Sequence, residues 1–223
     1  MGNLSKKALE NLKEINFKVK KDPQRPVYHF LPLAFWMNDP NGPLLYQGEY
    51  HLFYQFNPFD DKWGNIHWGH AKSKDLVHWE HLPVALEPSK EKNETHCFSG
   101  DCVINEGTPT IIYTSIGPNK LPKDGAEQWM ALGDNGMANW TKFGENPIMT
   151  LDIHEGLNVE DWRDPFIWKE GEYWYAVLGG HLPKPIRPAV FLYKSDDLYK
   201  WQFLNPLIIE SRKRGKNFEC PNF

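Results

Sequence analysis

The sequence predicts an all-β protein of the β-propeller type, and three repeated features carry that prediction. Trp79, Trp140 and Trp201 are evenly spaced, and each closes a polar, turn-rich segment. Around the first and third the neighbours match as well: Ser73-Lys74-Asp75-Leu76-Val77-His78-Trp79 against Ser195-Asp196-Asp197-Leu198-Tyr199-Lys200-Trp201. Upstream of each, a short motif leads to a Gly-centred turn: Asp39-Pro40 to Gly48-Glu49-Tyr50, Phe98-Ser99-Gly100 to Gly107, and Asp164-Pro165 to Gly171-Glu172-Tyr173. Repeats of this length, each with several short strands, mark the blades of a propeller. The first strand of each blade lines the central axis in that architecture. Asp39, Ser99, Asp164 and Glu219 share that phase and are expected to converge on one funnel.

Residues 1–22 differ in character from the rest. Leu4, Ala8, Leu12 and Ile15 recur at helical spacing among Lys and Glu, which predicts a short amphipathic helix on the outside of a blade. Asp22-Pro23 and Arg25-Pro26 end it and start an extended approach, so residues 23–223 form the propeller portion.

The first blade is expected over about 35–86. In it Asp39 begins a strand, because Pro40 cannot donate to a ladder and Gly42 permits backbone angles that other residues resist. Leu44–Tyr46, a turn at Gln47-Gly48 and Tyr50–Phe56 read as a hairpin. Gln55, Asn57, Trp63, Asn65, His67 and Trp68 read as a polar and aromatic loop, in which His67 and His70 have structural roles. The second blade, about 97–149, contributes Ser99, which lies in no G-x-S-x-G elbow and is a substrate contact rather than a nucleophile. In the third, about 160–209, Arg163 is placed to keep Asp164 ionised. Residues 217–223 begin a fourth with Glu219, whose neighbours Phe218 and Cys220 form an apolar flank expected to raise its pKa.

Composition narrows the function. With 223 residues, 40% hydrophobic and 24% charged, the chain can bury a core, and its formal net charge of −4 offers no basic face for nucleic acid. Cys97, Cys102 and Cys220 lack paired spacing and read as reduced thiols. No His pair has metal spacing, since Asn158 stands where a zinc-protease helix after His154-Glu155 needs His; no catalytic metal or other cofactor is expected. Neither a signal-peptide core nor a membrane-spanning run is evident, which makes the cytoplasm the expected location and the sequons at Asn93 and Asn139 coincidental. Ten Trp, nine Tyr and thirteen Phe suit half-buried strands, and some can serve as stacking floors for a sugar. Two carboxyl groups in one pocket with different surroundings are what glycoside hydrolysis requires, one to attack or stabilise the anomeric carbon and one to protonate the leaving oxygen. On this reading Asp39 is the nucleophile and Glu219 the acid.

Trp36-Met37-Asn38-Asp39-Pro40-Asn41-Gly42, Phe98-Ser99-Gly100, Trp162-Arg163-Asp164-Pro165 and Glu219-Cys220-Pro221 together resemble the motif set of glycoside hydrolase family 32, the invertases, inulinases, levanases and sucrose-6-phosphate hydrolases. The resemblance runs from Tyr28 to Phe223. It implies a five-bladed propeller of the fructosidase type, of which this chain holds about three blades and the first strand of a fourth, without the family's C-terminal β-sandwich. It further implies retaining hydrolysis of terminal β-D-fructofuranosides such as sucrose, sucrose 6-phosphate or fructans. By residue, Asp39 matches the nucleophile, Glu219 the acid/base and Asp164 the transition-state stabiliser. Asn38, Gln55, Trp63, Phe98, Ser99 and Arg163 match positions lining the fructose subsite, and Cys220 follows the acid/base. Three readings stand beside it: a transfructosylase, an arabinan-type propeller hydrolase, and a truncated fructoside-binding fragment that is inactive or depends on a partner. Open propeller edges also predict self-association.

Overall fold

The structure is a computed structural model, and it describes residues 12, 14–26, 28–117 and 126–223. Among the described residues, twelve strands form three sheets of four. Each sheet is an antiparallel meander in chain order: β1 (Trp36–Tyr46), β2 (Glu49–Asn57), β3 (His67–Ser73) and β4 (Trp79–His81); then β5 (His96–Asn105), β6 (Thr108–Ile116), β7 (Glu127–Gly133) and β8 (Trp140–Lys142); then β9 (Glu160–Glu170), β10 (Tyr173–Pro183), β11 (Ile186–Ser195) and β12 (Trp201–Ile209). These are three propeller blades, with β1, β5 and β9 as their inner strands.

The repeat seen in the sequence is a repeat of turns. Gln47-Gly48 and Glu106-Gly107 all take positive φ, as the tight connections of right-twisted hairpins require, and Gly171 does the same at the third. At the far end of blade one, the Ser73 hydroxyl accepts from the backbone of Asp75 and Leu76, and Asp75 Oδ1 accepts from Val77 and His78. Trp79 Nε1 then donates to the Leu76 carbonyl. Blade three repeats every one of these bonds with Ser195, Asp197 and Trp201. In blade two Asp134 substitutes for the Ser/Asp pair, and Trp140 still bonds the Met137 carbonyl. The loop is therefore specified by side chains that satisfy its own backbone donors, which is why the pattern survives in the sequence.

Blades bury their faces against one another. Phe53, Trp68, Tyr113 and Trp129 pack between blades one and two, while Ile112, Met130, Trp162, Phe191 and Tyr193 pack between two and three. Hydrogen bonds join the inner regions: Cys97 N–H donates to the Ile66 carbonyl and the Trp68 side chain, through Nε1, to the Phe98 carbonyl, both at 2.9 Å. Asp101 Oδ2 accepts from Ile167 N–H across the second junction. Gly42 (φ +47) lets β1 meet β5, since a Cβ there would fall 2.6 Å from Cys102 Cβ. Residues 14–19 are helical, and Leu12 and Ile15 pack with Tyr54 and Phe56 on the other face of blade one. Leu4 and Ala8 of the expected helix lie outside the described residues.

Three local expectations need correction. Asp39 is the fourth residue of β1 rather than its first, and it sits where a bulge between Met37 and Pro40 absorbs the proline without breaking the strand. Gln55 and Asn57 belong to β2, and His67 and Trp68 to β3. Asn57 and His67 find polar partners in the loop that joins the two strands: Asn57 Nδ2 donates to the Lys62 carbonyl, and His67 Nδ1 meets the Asn65 carbonyl. Finally, residues 217–223 pass against β10 at Gly179 and are not a strand among the described residues.

Candidate active site

Asp39 projects from the bulge of β1. Its Oδ2 accepts from the Ser99 hydroxyl at 2.7 Å, and Ser99 Oγ in turn accepts from Gln55 Nε2 at 2.7 Å. Because the Gln55 amide can only donate there, the Ser99 proton is committed to Asp39. Cys220 Sγ lies 3.6 Å from the same Oδ2. These contacts occupy one carboxylate oxygen of Asp39 and orient the other.

Asp164 occupies the equivalent position on β9 in a left-handed conformation (φ +62), and its N–H donates to Thr114 Oγ1 at 3.0 Å. Thr114 is fixed by donating to Gln128 Oε1. Oδ2 of Asp164 accepts from Cys220 N–H at 3.0 Å. Burial raises the Asp164 pKa to about 6, against the lowering effect of the Arg163 guanidinium and the Cys220 N–H; the negative charges of Asp39 and Glu219 push in the same direction as burial. Arg163 favours the ionised form of Asp164, as the sequence suggested, but burial outweighs it. Its Nε is 3.7 Å from Asp164 Oδ2, whereas its Nη2 is 2.7 Å from Glu219 Oε1. Glu219 also lacks the expected apolar flank: its side chain is 64% exposed, and it meets a guanidinium. The Cys220 thiol is turned to Asp39 and Asp164 rather than to Glu219. Burial, with the charges of Asp164 and Asp39, raises the Cys220 thiol instead.

The structure thus joins Asp39, Gln55, Ser99, Arg163, Asp164, Glu219 and Cys220 in one bonded cluster. Phe98 and Trp63 form a rim beside it, with centroids 6.4 Å apart and edges crossed, and His96 is wedged between them at 5.1 Å from Trp63. Asn38 is exposed next to Asp39. A cavity of about 220 Å³ continues from Ser99, Asp164 and Cys220 along the axis past Asn41 and Asp101. Burial raises Asp101 to about 6 as well, against two backbone donors. Thr114, His96 and Asp161 were missed from sequence. The available signals were a Thr within the apolar run of β6, a His two residues before Phe98, and a third acid beside Arg163-Asp164.

Residues 29–223 match the profile of the glycosyl hydrolases family 32 N-terminal domain. The chain belongs to this family. It is 40% identical to a sucrose-6-phosphate hydrolase of Zymomonas mobilis, an alignment covering 97% of this chain and 44% of that protein. A cell wall β-fructofuranosidase of Pisum sativum is 37% identical over 92% of this chain and 37% of its own length. Among solved structures, a mutant Bombyx mori family 32 β-fructofuranosidase in complex with sucrose superposes with a TM-score of 0.88 at 36% identity, covering 98% of this chain and 45% of that one. Fructan 1-exohydrolase IIa of Cichorium intybus in complex with 1-kestose gives 0.78 at 36% identity over 90% and 37%. The chain thus spans less than half the length of these family 32 relatives, and the three blades are a propeller portion of the family 32 fold.

Proposed function

We propose that this chain carries the fructoside-cleaving site of a retaining family 32 β-fructofuranosidase, acting on terminal β-D-fructofuranosides such as sucrose or sucrose 6-phosphate. The observation that supports it is the convergence of Asp39, Asp164 and Glu219, from three distant segments, through Ser99, Cys220 and Arg163. Glu219 protonates the glycosidic oxygen as the bond to the anomeric carbon breaks, and the unengaged oxygen of Asp39 attacks that carbon to give a fructosyl ester. Glu219, now a carboxylate, takes a proton from water as the water displaces Asp39. Asp164, buried and easily protonated, offers hydrogen bonds to fructose hydroxyls. Trp63 and Phe98 give the ring an apolar wall. The exposed Leu207, Ile208 and Ile209 of β12 support a second copy of the chain as a partner at the blade edge.

Fructose release from sucrose and from sucrose 6-phosphate, measured beside Glu219→Gln with size exclusion on the same samples, tests this reading. Release that falls by about 10²- to 10⁴-fold in the variant is expected. Folded protein that binds fructosides yet releases no fructose in either form would make it a binding fragment instead.

A further inference from the structure

Glu219 is exposed, and residues 217–223 are not a strand among the described residues; side-chain and backbone contacts on either side of it tie the segment to blade three. Four contacts surround it in sequence. Lys216 Nζ is 3.3 Å from Asp161 Oδ2. Asn217 Nδ2 donates to the carbonyls of Asp161 (3.4 Å) and Phe218 (3.1 Å), which leaves its Oδ1 to accept from His181 Nδ1 at 3.1 Å. The backbone at Phe218 runs so close to β10 that a Cβ on Gly179 would fall 2.1 Å from the Phe218 carbonyl oxygen. Cys220 N–H reaches Asp164.

His181 is only 1% exposed, on β10, and it is held from behind by Glu160 Oε2 at 3.4 Å from Nε2. With the Asn217 amide committed to two carbonyls, His181 must present Nδ1–H, so both partners have a fixed polarity. Asp161 adopts φ +55, and its carbonyl serves two donors, Asn217 Nδ2 and Arg163 Nη1 at 3.0 Å. One backbone oxygen therefore ties together the residue that bonds Glu219 and the segment that bears it. We propose that His181 and Asp161 are positioning residues for the acid/base: through Asn217 they latch the segment of Lys216 to Cys220 onto blade three, so that Glu219 meets Arg163 at the mouth of the site. This rests on the reading of Glu219 as the acid/base.

Cys220 reports on the latch directly. Among the three cysteines it alone is an exposed residue, Cys97 and Cys102 being buried, and its thiol is partly covered where it meets Asp39 and Asp164. In His181→Leu and in Asn217→Ala, the rate of Cys220 modification by a disulfide-exchange reagent is expected to rise on the order of tenfold, because a part-buried hydrogen bond holding the segment is lost. His181→Asn, whose amide nitrogen falls where Nδ1 lies and can still donate to Asn217 Oδ1, is expected to restore most of the slow rate. In turnover, both latch variants are expected to lose on the order of tenfold in kcat on sucrose but about twofold at most on an aryl β-fructofuranoside whose good leaving group needs little acid assistance. An unchanged Cys220 rate in folded Asn217→Ala and His181→Leu overturns the proposal, as does an equal loss on both substrates. If His181→Leu does not fold, the half-buried Asn217→Ala decides alone. Should Glu219→Gln retain full activity, the acid/base reading fails, and the Cys220 rates still report whether the latch exists.

Discussion

Blades one and three carry the same turn in different surroundings. Leu76 and Leu198 both follow a Ser/Asp pair, both have positive φ (62 and 69), and both offer their carbonyl to the tryptophan three residues on. Yet Leu76 is 56% exposed, while Leu198 is 0% exposed in the core between blades two and three. Local chemistry shapes the turn, and a neighbouring blade decides whether its apolar residue is stabilising. The inner strands show the same contrast. Asp39 and Asp164 occupy matching places, but Asp164 is closed in by β6 and by Cys220, and its proton affinity rises.

The largest effect that separates the two blades is a truncation of these leucines. Leu198→Ala removes a fully buried side chain and is expected to cost about 3 kcal/mol, a fall in Tm of roughly 6 to 12 °C for a chain of this size. Leu76→Ala is expected to change stability by less than about 0.5 kcal/mol. Because alanine would inherit the same positive φ at either site, backbone strain cancels from the comparison. Similar losses at both positions in thermal unfolding would mean that the exposed face of blade one is covered in solution.

Next in size is a pH effect confined to Asp164. An unfolded aspartate titrates near 3.9, and the folded one at about 6, so the folded state holds its proton more tightly. The stabilisation is complete below about pH 4 and is lost as pH rises through about 6, roughly 2 to 3 kcal/mol in all. Asp164→Asn is neutral throughout and is expected to flatten the curve of unfolding free energy against pH by that amount. A residual slope of the same sign belongs to Asp101, which burial also raises to about 6. Parallel curves for the protein and the variant in urea unfolding between about pH 4 and pH 7 would show that Asp164 is not protonated preferentially in the folded state.

The blade repeat was legible in the sequence because its determinants are short-range: Ser73, Asp75 and Trp79 bond backbone groups within five residues. The convergence of Asp39, Ser99, Asp164 and Glu219 was legible too, since a shared phase fixes which strand end faces the axis. What could not be read was the partner of each charge. Arg163 is adjacent to Asp164 in sequence and stays 3.7 Å from its carboxylate, but its shortest contact, at 2.7 Å, is to Glu219, which comes from a distant segment. Gln55 looked like a loop residue because a polar side chain at a strand end makes sense only once its partner, Ser99 of blade two, is brought to it by the fold. His181 showed only as a histidine after two glycines, and its meaning depends on a segment more than thirty residues on.

The smallest effect is also the sharpest test of how far the turn is autonomous. Ser195 Oγ accepts from Asp197 N–H at 3.2 Å and Leu198 N–H at 2.9 Å, and Ser73 Oγ accepts from Asp75 and Leu76 at the same two distances. The geometry is equal, so any difference between Ser195→Ala and Ser73→Ala comes from what surrounds the freed donors. At Leu76 water can replace the hydroxyl, and a loss of about 0.5 to 1 kcal/mol is expected. The Leu198 N–H is buried and has no such substitute, which raises the expected cost to roughly 1 to 2 kcal/mol. Equal costs in denaturant unfolding would mean that the neighbouring blade contributes only apolar contact, and that the hydrogen bonds of the turn are blind to it. A larger cost at Ser195 would mean that packing a blade against its neighbour also makes each local turn harder to break.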